Sequence, residues 1–286
     1  MNGIMSLSRK LRTITVGALA AASVSSAAFG ASIVNLTDGN SSATVDLGSQ
    51  AGMSQWLING QNQLNQQWFW YRIGNDPTGQ HSIDTIGGLS YVNNANSVIA
   101  TYTSATFSLE IAYTLNGGVA GGSDWTSDIT ENISIHNLTG STLNFHFYQY
   151  SDFALAGTFG NEIASIYQSG GFYSKATVIK AASQLSETID QPLANEAEAD
   201  IGTATLNRLN QGSPYTLNNT LSSGPDANLD ATWALQWDFS LAANGLLGDT
   251  VDVIKDKKLS VAPIPEPATF SLALLGCAAF ILRRKR

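Results

Sequence analysis

Cysteine is almost absent from these 286 residues, and the single one, Cys277, lies in an apolar run near the end of the chain. Residues 31–254 contain none, so no disulfide can brace that stretch and its core must hold by packing alone. Basic side chains are also scarce. Seven of the 14 sit in the two ends (Arg9, Lys10, Arg12, Arg283, Arg284, Lys285, Arg286), while 21 of the 22 acids lie between those ends, leaving the middle at a net charge of −14. Such a surface repels phosphate backbones, so nucleic acid is not an expected partner. No Gly-x-Ser-x-Gly, His-Glu-x-x-His or phosphate-loop pattern is present. No internal repeat of solenoid or propeller length occurs either. With 43% hydrophobic residues, a wholly disordered chain is excluded.

The two ends read as targeting segments. Residues 1–30 have a basic start, an apolar run at Ile14–Ala22 and small residues up to Ala28-Phe29-Gly30, which predicts a secretory signal peptide cleaved after Gly30. Near the other end, Pro263, Pro265 and Pro267 alternate with Ile264 and Glu266, holding an extended backbone that a processing enzyme could grip. Ala268–Leu282 is uncharged and would be roughly 22 Å long as a helix, short for a membrane span but usable with bilayer thinning. Arg283-Arg284-Lys285-Arg286 then form a basic stop that should stay cytoplasmic.

The order Pro265-Glu266-Pro267, apolar helix, basic cluster resembles the PEP-CTERM sorting signal of Gram-negative bacteria. That resemblance covers about 24 residues. It implies processing by an exosortase-type membrane protease after signal peptidase has acted. It also implies passage through the inner membrane to the cell surface or matrix, in association with extracellular polysaccharide and biofilm. The expected organisation is a signal peptide (1–30), an ectodomain (31–254), a flexible stalk with the sorting motif (255–267), and a transmembrane helix with basic tail (268–286).

Within the ectodomain, apolar residues alternate. Phe107, Leu109, Ile111, Tyr113 and Leu115 form one such row, and Trp233, Leu235, Trp237, Phe239 and Leu241 another; each predicts a half-buried strand. Ile133 and Ile135, followed by Asn137-Leu138-Thr139-Gly140 and then Leu143, Phe145 and Phe147, predict a hairpin pairing Ile135 with Leu143. Asn59-Gly60 predicts a second hairpin turn. The strand ending Trp68-Phe69-Trp70-Tyr71-Arg72-Ile73 is apolar on both faces and should be interior. Asn195-Glu196-Ala197-Glu198 predicts a helix N-terminus, with the helix stopping before Gly212. The fold class expected is all-β: one antiparallel β-sandwich with a minor helix. Its aromatic blocks loosely resemble those of other PEP-CTERM cargo domains, which implies no particular activity.

For chemistry, the predicted hairpin would hold His136 and His146 roughly 13 Å apart, too far to share a metal, so no metal site and no cofactor are expected. Asp152 is the carboxylate to inspect for glycosidase-type work, against a role in bonding a turn. Arg72 should find a carboxylate and pack its stem. Asp124 and Asp128, after a glycine-rich loop, could hold calcium, with a plain flexible turn the better reading; Asp38–Ser42 begins like an EF-hand but lacks the later glycine and glutamate. Trp56, Trp68, Trp70 and Trp125 are candidates for stacking on sugar rings if they are exposed. These features predict a non-enzymatic, exported surface protein, with a glycan-binding module or a glycan-active hydrolase as the alternatives.

Overall fold

The computed structural model describes residues 32–121 and 125–262. The expected signal peptide, sorting motif, apolar tail and basic stop lie outside the described residues. Among the described residues no helix is long and apolar enough to cross a membrane.

Two nine-stranded sheets face each other. The chain opens on the first with β1 (Ile33–Asp38), β2 (Ser41–Asp46) and β3 (Gly52–Ile58). A short β4 (Gln61–Asn62) turns back on β3, and β5 (Leu64–Ile73) follows, flanked by β6 (His81–Ser82). The second sheet receives β7 (Ser90–Asn93), β8 (Ser97–Thr103), β9 (Phe107–Gly117) and β10 (Thr126–Asn137). β11 (Leu143–Phe153) returns to the first sheet; β12 (Ile163–Ser169), β13 (Phe172–Lys180) and β14 (Ser183–Gln191) return to the second. After β15 (Glu196–Ile201) come a short α1 (Ala204–Leu209) and β16 (Ser222–Ser223). β17 (Ala231–Leu241) joins the first sheet and β18 (Thr250–Ser260) the second. The spatial orders are β1-β2-β3-β5-β11-β17-β15 and β16-β12-β13-β14-β18-β10-β9-β8-β7. Pairing is antiparallel except where β3 touches β5. The all-β sandwich expected from alternation is what forms.

Alternation places the core. The odd residues of β9 from Phe107 to Leu115 are all buried, as expected. Tyr113 meets Phe69 and Phe107 meets Phe145 from the first sheet, in one core with Phe147, Trp233 and Trp237. Phe153 lies flat on Trp233 with ring centroids 5.3 Å apart, and Phe69 on Phe147 at the same distance. Such pairs add about 0.5–1.5 kcal/mol beyond their burial. The Asn59-Gly60 turn also forms, with both residues at positive φ, joining Ile58 to Gln61; its ladder is only two rungs long before β5 leaves. β5 is interior, as expected, lying between β3 and β11.

Four expectations need correction. The predicted hairpin is an arch between sheets: β10 pairs β9 and β18, while β11 pairs β5 and β17. Both strands still point their odd side chains inward, so the same alternation serves either arrangement. Asn137 fixes the arch, donating to the carbonyls of Ser141 and Ala242 (2.7 Å each) and accepting from Thr139 N at 2.9 Å. The predicted helix from Asn195 is instead β15, paired residue by residue with β17; only Ala204–Leu209 is helical. Glu198 is turned into a cluster with Arg208 and Tyr215 rather than back to cap a helix. β17 is not half-buried throughout, because Ala231–Trp237 is covered on both faces. The stalk expected from 255 onward is also displaced: residues 255–260 belong to β18, which runs between β14 and β10.

The reason the charges of β18 can lie there is a buried quartet. Lys255, Lys257, Glu131 and Glu187 are all fully buried between the sheets. Lys255 Nζ lies 2.6 Å and Lys257 Nζ 2.5 Å from opposite oxygens of Glu131, and both are 3.4 Å from Glu187. Gln149 and Trp233 Nε1 donate to Glu187 at 2.8–2.9 Å. Two positive and two negative groups thus neutralise one another where water cannot.

Candidate functional site

Three central strands of the first sheet position the site. The registers of β5, β11 and β17 place Arg72 opposite His146, and His146 opposite Asp238. Because neighbouring Tyr71, Phe145, Phe147 and Trp237 belong to the inward set, these three even-numbered residues share the face turned away from the second sheet. Strand spacing makes the row about 10 Å wide.

The row lies at a boundary. On one side Trp70, Tyr148 and Gln236 are buried beneath the segment 210–221. Trp70 Nε1 donates to Asn210 (3.0 Å), Tyr148 OH to the Tyr215 carbonyl (3.1 Å), and Leu217 N to Gln236 Oε1 (3.2 Å). The covering segment is anchored in turn where Arg208 and Tyr215 bond Glu198. On the other side Asn144 and Ser240, next along the same face, are exposed. The row is therefore a shelf at the border between the covered and the open part of this face.

His146 Nδ1 is 2.6 Å from Asp238 Oδ1, which also accepts from Gln236 Nε2 at 2.9 Å; the Asp238 backbone N–H donates to Asn195 Oδ1 at 2.9 Å. Burial pushes the Asp238 carboxyl up. Hydrogen bonds from His146 and Gln236, with the charges of His146 and Arg72, outweigh it and hold the group below its ordinary value. A ring that donates Nδ1–H to this carboxylate keeps Nε2 as an acceptor, able to take a proton from a bound molecule and return it. The side chains are 21% and 36% exposed, so a ligand can reach them.

Arg72 corrects an expectation. Its stem packs as predicted and the residue is only 7% exposed, but among the described residues its guanidinium forms no ion pair and donates no hydrogen bond. Its Nε is sealed from solvent without a partner. The charges of Asp238 and Tyr148 feel it only at longer range.

The tryptophan expectation fails as well. Trp56, Trp68 and Trp70 have no exposed surface, and each indole N–H is spent inside, on Ser127, Ser82 and Asn210. Trp125 is half-buried against the core. None of the first three offers an open ring face. Asp152 lies elsewhere, with Asp230 and Glu162. Asn65 Nδ2 bridges Asp152 (3.2 Å) and Asp230 (2.8 Å), and burial raises Asp152 to about 7 and Glu162 to about 8. Asp128 lines an open pocket of about 550 Å³ with Asn116, Gln184 and Lys258, and burial together with its contact to Asp256 raises it to about 6. Asp124 lies outside the described residues. His136 is in the other sheet, 3.5 Å from Asp249, and His81 pairs with Asp76. No group of three metal-type side chains gathers among the described residues.

Sequence reasoning missed the row because its members are 74 and 92 residues apart in the chain and meet only through register. Each does stand at a polar position inside an aromatic strand, the one signal that could have marked it.

No family model matches this chain, and no curated protein does so by sequence. Solved structures do match in fold. A bacterial glucoamylase, solved with acarbose, superposes at TM-score 0.52 and 8% identity over 83% of this chain; the match spans 32% of the glucoamylase, about a third of its length. A protein assigned as an aldose 1-epimerase from Escherichia coli K12 superposes at 0.50 and 10% identity, over 82% of this chain and all of that one. A galactose mutarotase-like protein from Lactobacillus casei follows at 0.48 and 10%, covering 79% and 99%. The architecture is thus the β-sandwich found in proteins named for sugar chemistry. The first two matches overturn the expectation that the chain is not an enzyme, since the same scaffold carries proteins named as a glucoamylase and as an aldose 1-epimerase.

Proposed function

We propose that the described body is a carbohydrate-active domain whose shelf binds a sugar ring and exchanges protons with it through His146. The observation that carries this reading is the Arg72–His146–Asp238 row at the open border of its face, on a fold shared with proteins named for sugar chemistry. In the reaction this arrangement supports best, His146 Nε2 moves a proton at the anomeric centre. The anomeric hydroxyl loses its proton, the ring oxygen gains one, the bond between C1 and the ring oxygen breaks, and C1 becomes a carbonyl. Reclosure on the other face gives the other anomer. Asp238 orients the ring of His146 and stabilises its charged form, and the segment 210–221 borders the shelf. The shelf offers one carboxylate rather than the flanking pair that glycoside hydrolysis uses, which favours this chemistry over bond hydrolysis.

Polarimetry or saturation-transfer NMR on glucose and galactose tests it. His146→Ala should lower the rate of anomer interconversion by about 10²–10⁴-fold. A wild-type protein that neither binds nor interconverts any hexose, neutral or acidic, refutes the reading.

We further propose that this domain is exported by residues 1–30 and held briefly at the inner membrane by residues 268–286. In that reading an exosortase-type protease acts at Pro265-Glu266-Pro267, and the domain meets its sugars as extracellular polysaccharide or fragments of it. The support is the ordered tail motif; intact-mass analysis of surface material, expected to lack the apolar tail, checks it.

A further inference from the structure

We infer that the sugar taken by this shelf is acidic, a hexuronic acid unit whose carboxylate seats on Arg72; the inference rests on the sugar-binding reading above. The starting point is a cation without an answer. Of the seven basic side chains among the described residues, Lys180, Arg208, Lys255, Lys257 and Lys258 all have carboxylates within ion-pair distance. Lys175 lies over the ring of Tyr167 on a less covered surface. Only Arg72 combines 7% exposure with no ion pair and an orphaned Nε. A buried charge left this way is costly, and the chain neutralises its other deeply buried cations with care.

The carboxylate that feels its charge is already committed. Asp238 is engaged by His146 and Gln236, so it does not close on Arg72. The shelf therefore presents an undischarged positive charge one strand away from the group that moves the proton, about 5 Å across the sheet. A guanidinium favours the two oxygens of a carboxylate, which it can hold in a fork, over a lone hydroxyl. In a hexuronic acid the carboxylate is borne by C5, bonded to the ring oxygen. Seating it on Arg72 lays the ring oxygen and anomeric carbon over the neighbouring strand, where His146 stands. Neutral hexoses would leave the guanidinium unmatched.

The net charge of the body opposes an anionic ligand at long range. Screening confines that opposition to about 8 Å at physiological salt, whereas the contact with Arg72 is local. The expected signature is therefore slower capture at low salt together with tighter equilibrium binding.

The test compares D-glucuronate with D-glucose, and D-galacturonate with D-galactose, by isothermal titration while the His146 ring resonances are followed by NMR. The wild type should bind each uronate at least tenfold more tightly than its neutral counterpart, and Arg72→Gln should bring that ratio close to one. Arg72→Lys keeps the charge without the fork and should fall between, which provides a second reading if the glutamine variant does not fold. Equal or tighter binding of the neutral sugars overturns the acidic-sugar inference and leaves the sugar reading standing. A uronate preference that survives Arg72→Gln overturns the assignment to Arg72. If neither class binds and the His146 signals do not move, both readings fall.

Discussion

Glu131→Gln is the sharpest probe of how the sandwich tolerates charge in its middle. Glu131 is the near partner of two lysines at once, 2.6 Å from Lys255 and 2.5 Å from Lys257, and all three groups are fully buried. The amide keeps the shape and removes the charge, leaving two ammonium groups to share Glu187, which lies 3.4 Å from each. Breaking a buried pair from one side costs about 3–5 kcal/mol, because the charge left behind has no water to turn to. For a body of this size each kcal/mol moves the melting temperature by about 2–4 °C, so a fall of roughly 6–20 °C is expected. Urea unfolding followed by tryptophan fluorescence gives the free energy directly. Adding Lys257→Met rebalances the core as one lysine against one glutamate, and the double variant should recover at least half the loss. A single variant that costs less than about 1 kcal/mol would show that water or relaxation reaches the quartet, and the account of why β18 can lie at the centre would be wrong.

Three further outcomes concern the buried carboxylates and the indoles. Asp152 and Glu162, raised by burial to about 7 and about 8, bind protons in the folded state that the unfolded chain has released, so stability should decline as pH rises from about 4 to 8. Asp152→Asn should flatten part of that slope in melts taken across the range. Glu187, where the two lysine charges outweigh burial and hold the group at about 2, acts in the opposite sense: its contribution is present above its ordinary value near 4.5 and is lost as pH falls toward 2. Separately, iodide should quench little of the native tryptophan emission, since five of the six indoles are fully buried. Quenching that extends beyond one indole, Trp125, would restore the discarded idea of a tryptophan stacking surface.

Much of the architecture was legible because a two-residue period survives any arrangement of strands. β9 and the interior character of β5 follow from their side-chain order alone. Partner choice does not. Ile133–Phe147 carries the same alternation whether its halves lie side by side or face to face, and the arch was decided by β9 and β18 bidding for β10. Asn195–Ile201 shows the converse failure: a local capping pattern was outweighed by a ladder with β17, formed by residues some thirty to forty positions away. Lys255 and Lys257 read as a solvated stalk because nothing local reveals that Glu131 and Glu187 wait across the ladder. The shelf was hidden for a related reason. Arg72, His146 and Asp238 are unremarkable until register sets them in line, and the resulting lack of an internal partner for Arg72 is visible only in three dimensions.

The placement of β18 has a mechanical side. It is the last described strand, yet it is bonded along its length to β10 on one flank and, from Ile254 to Ser260, to β14 on the other. A growing or translocating chain therefore leaves a slot open in the second sheet until this strand arrives, with two glutamates facing the vacancy. Tension applied beyond Ala262 would enter along the axis of that strand and load both ladders in shear, rather than peeling an edge open one bond at a time. A pull at that point is carried through the interior of the sheet rather than along its rim.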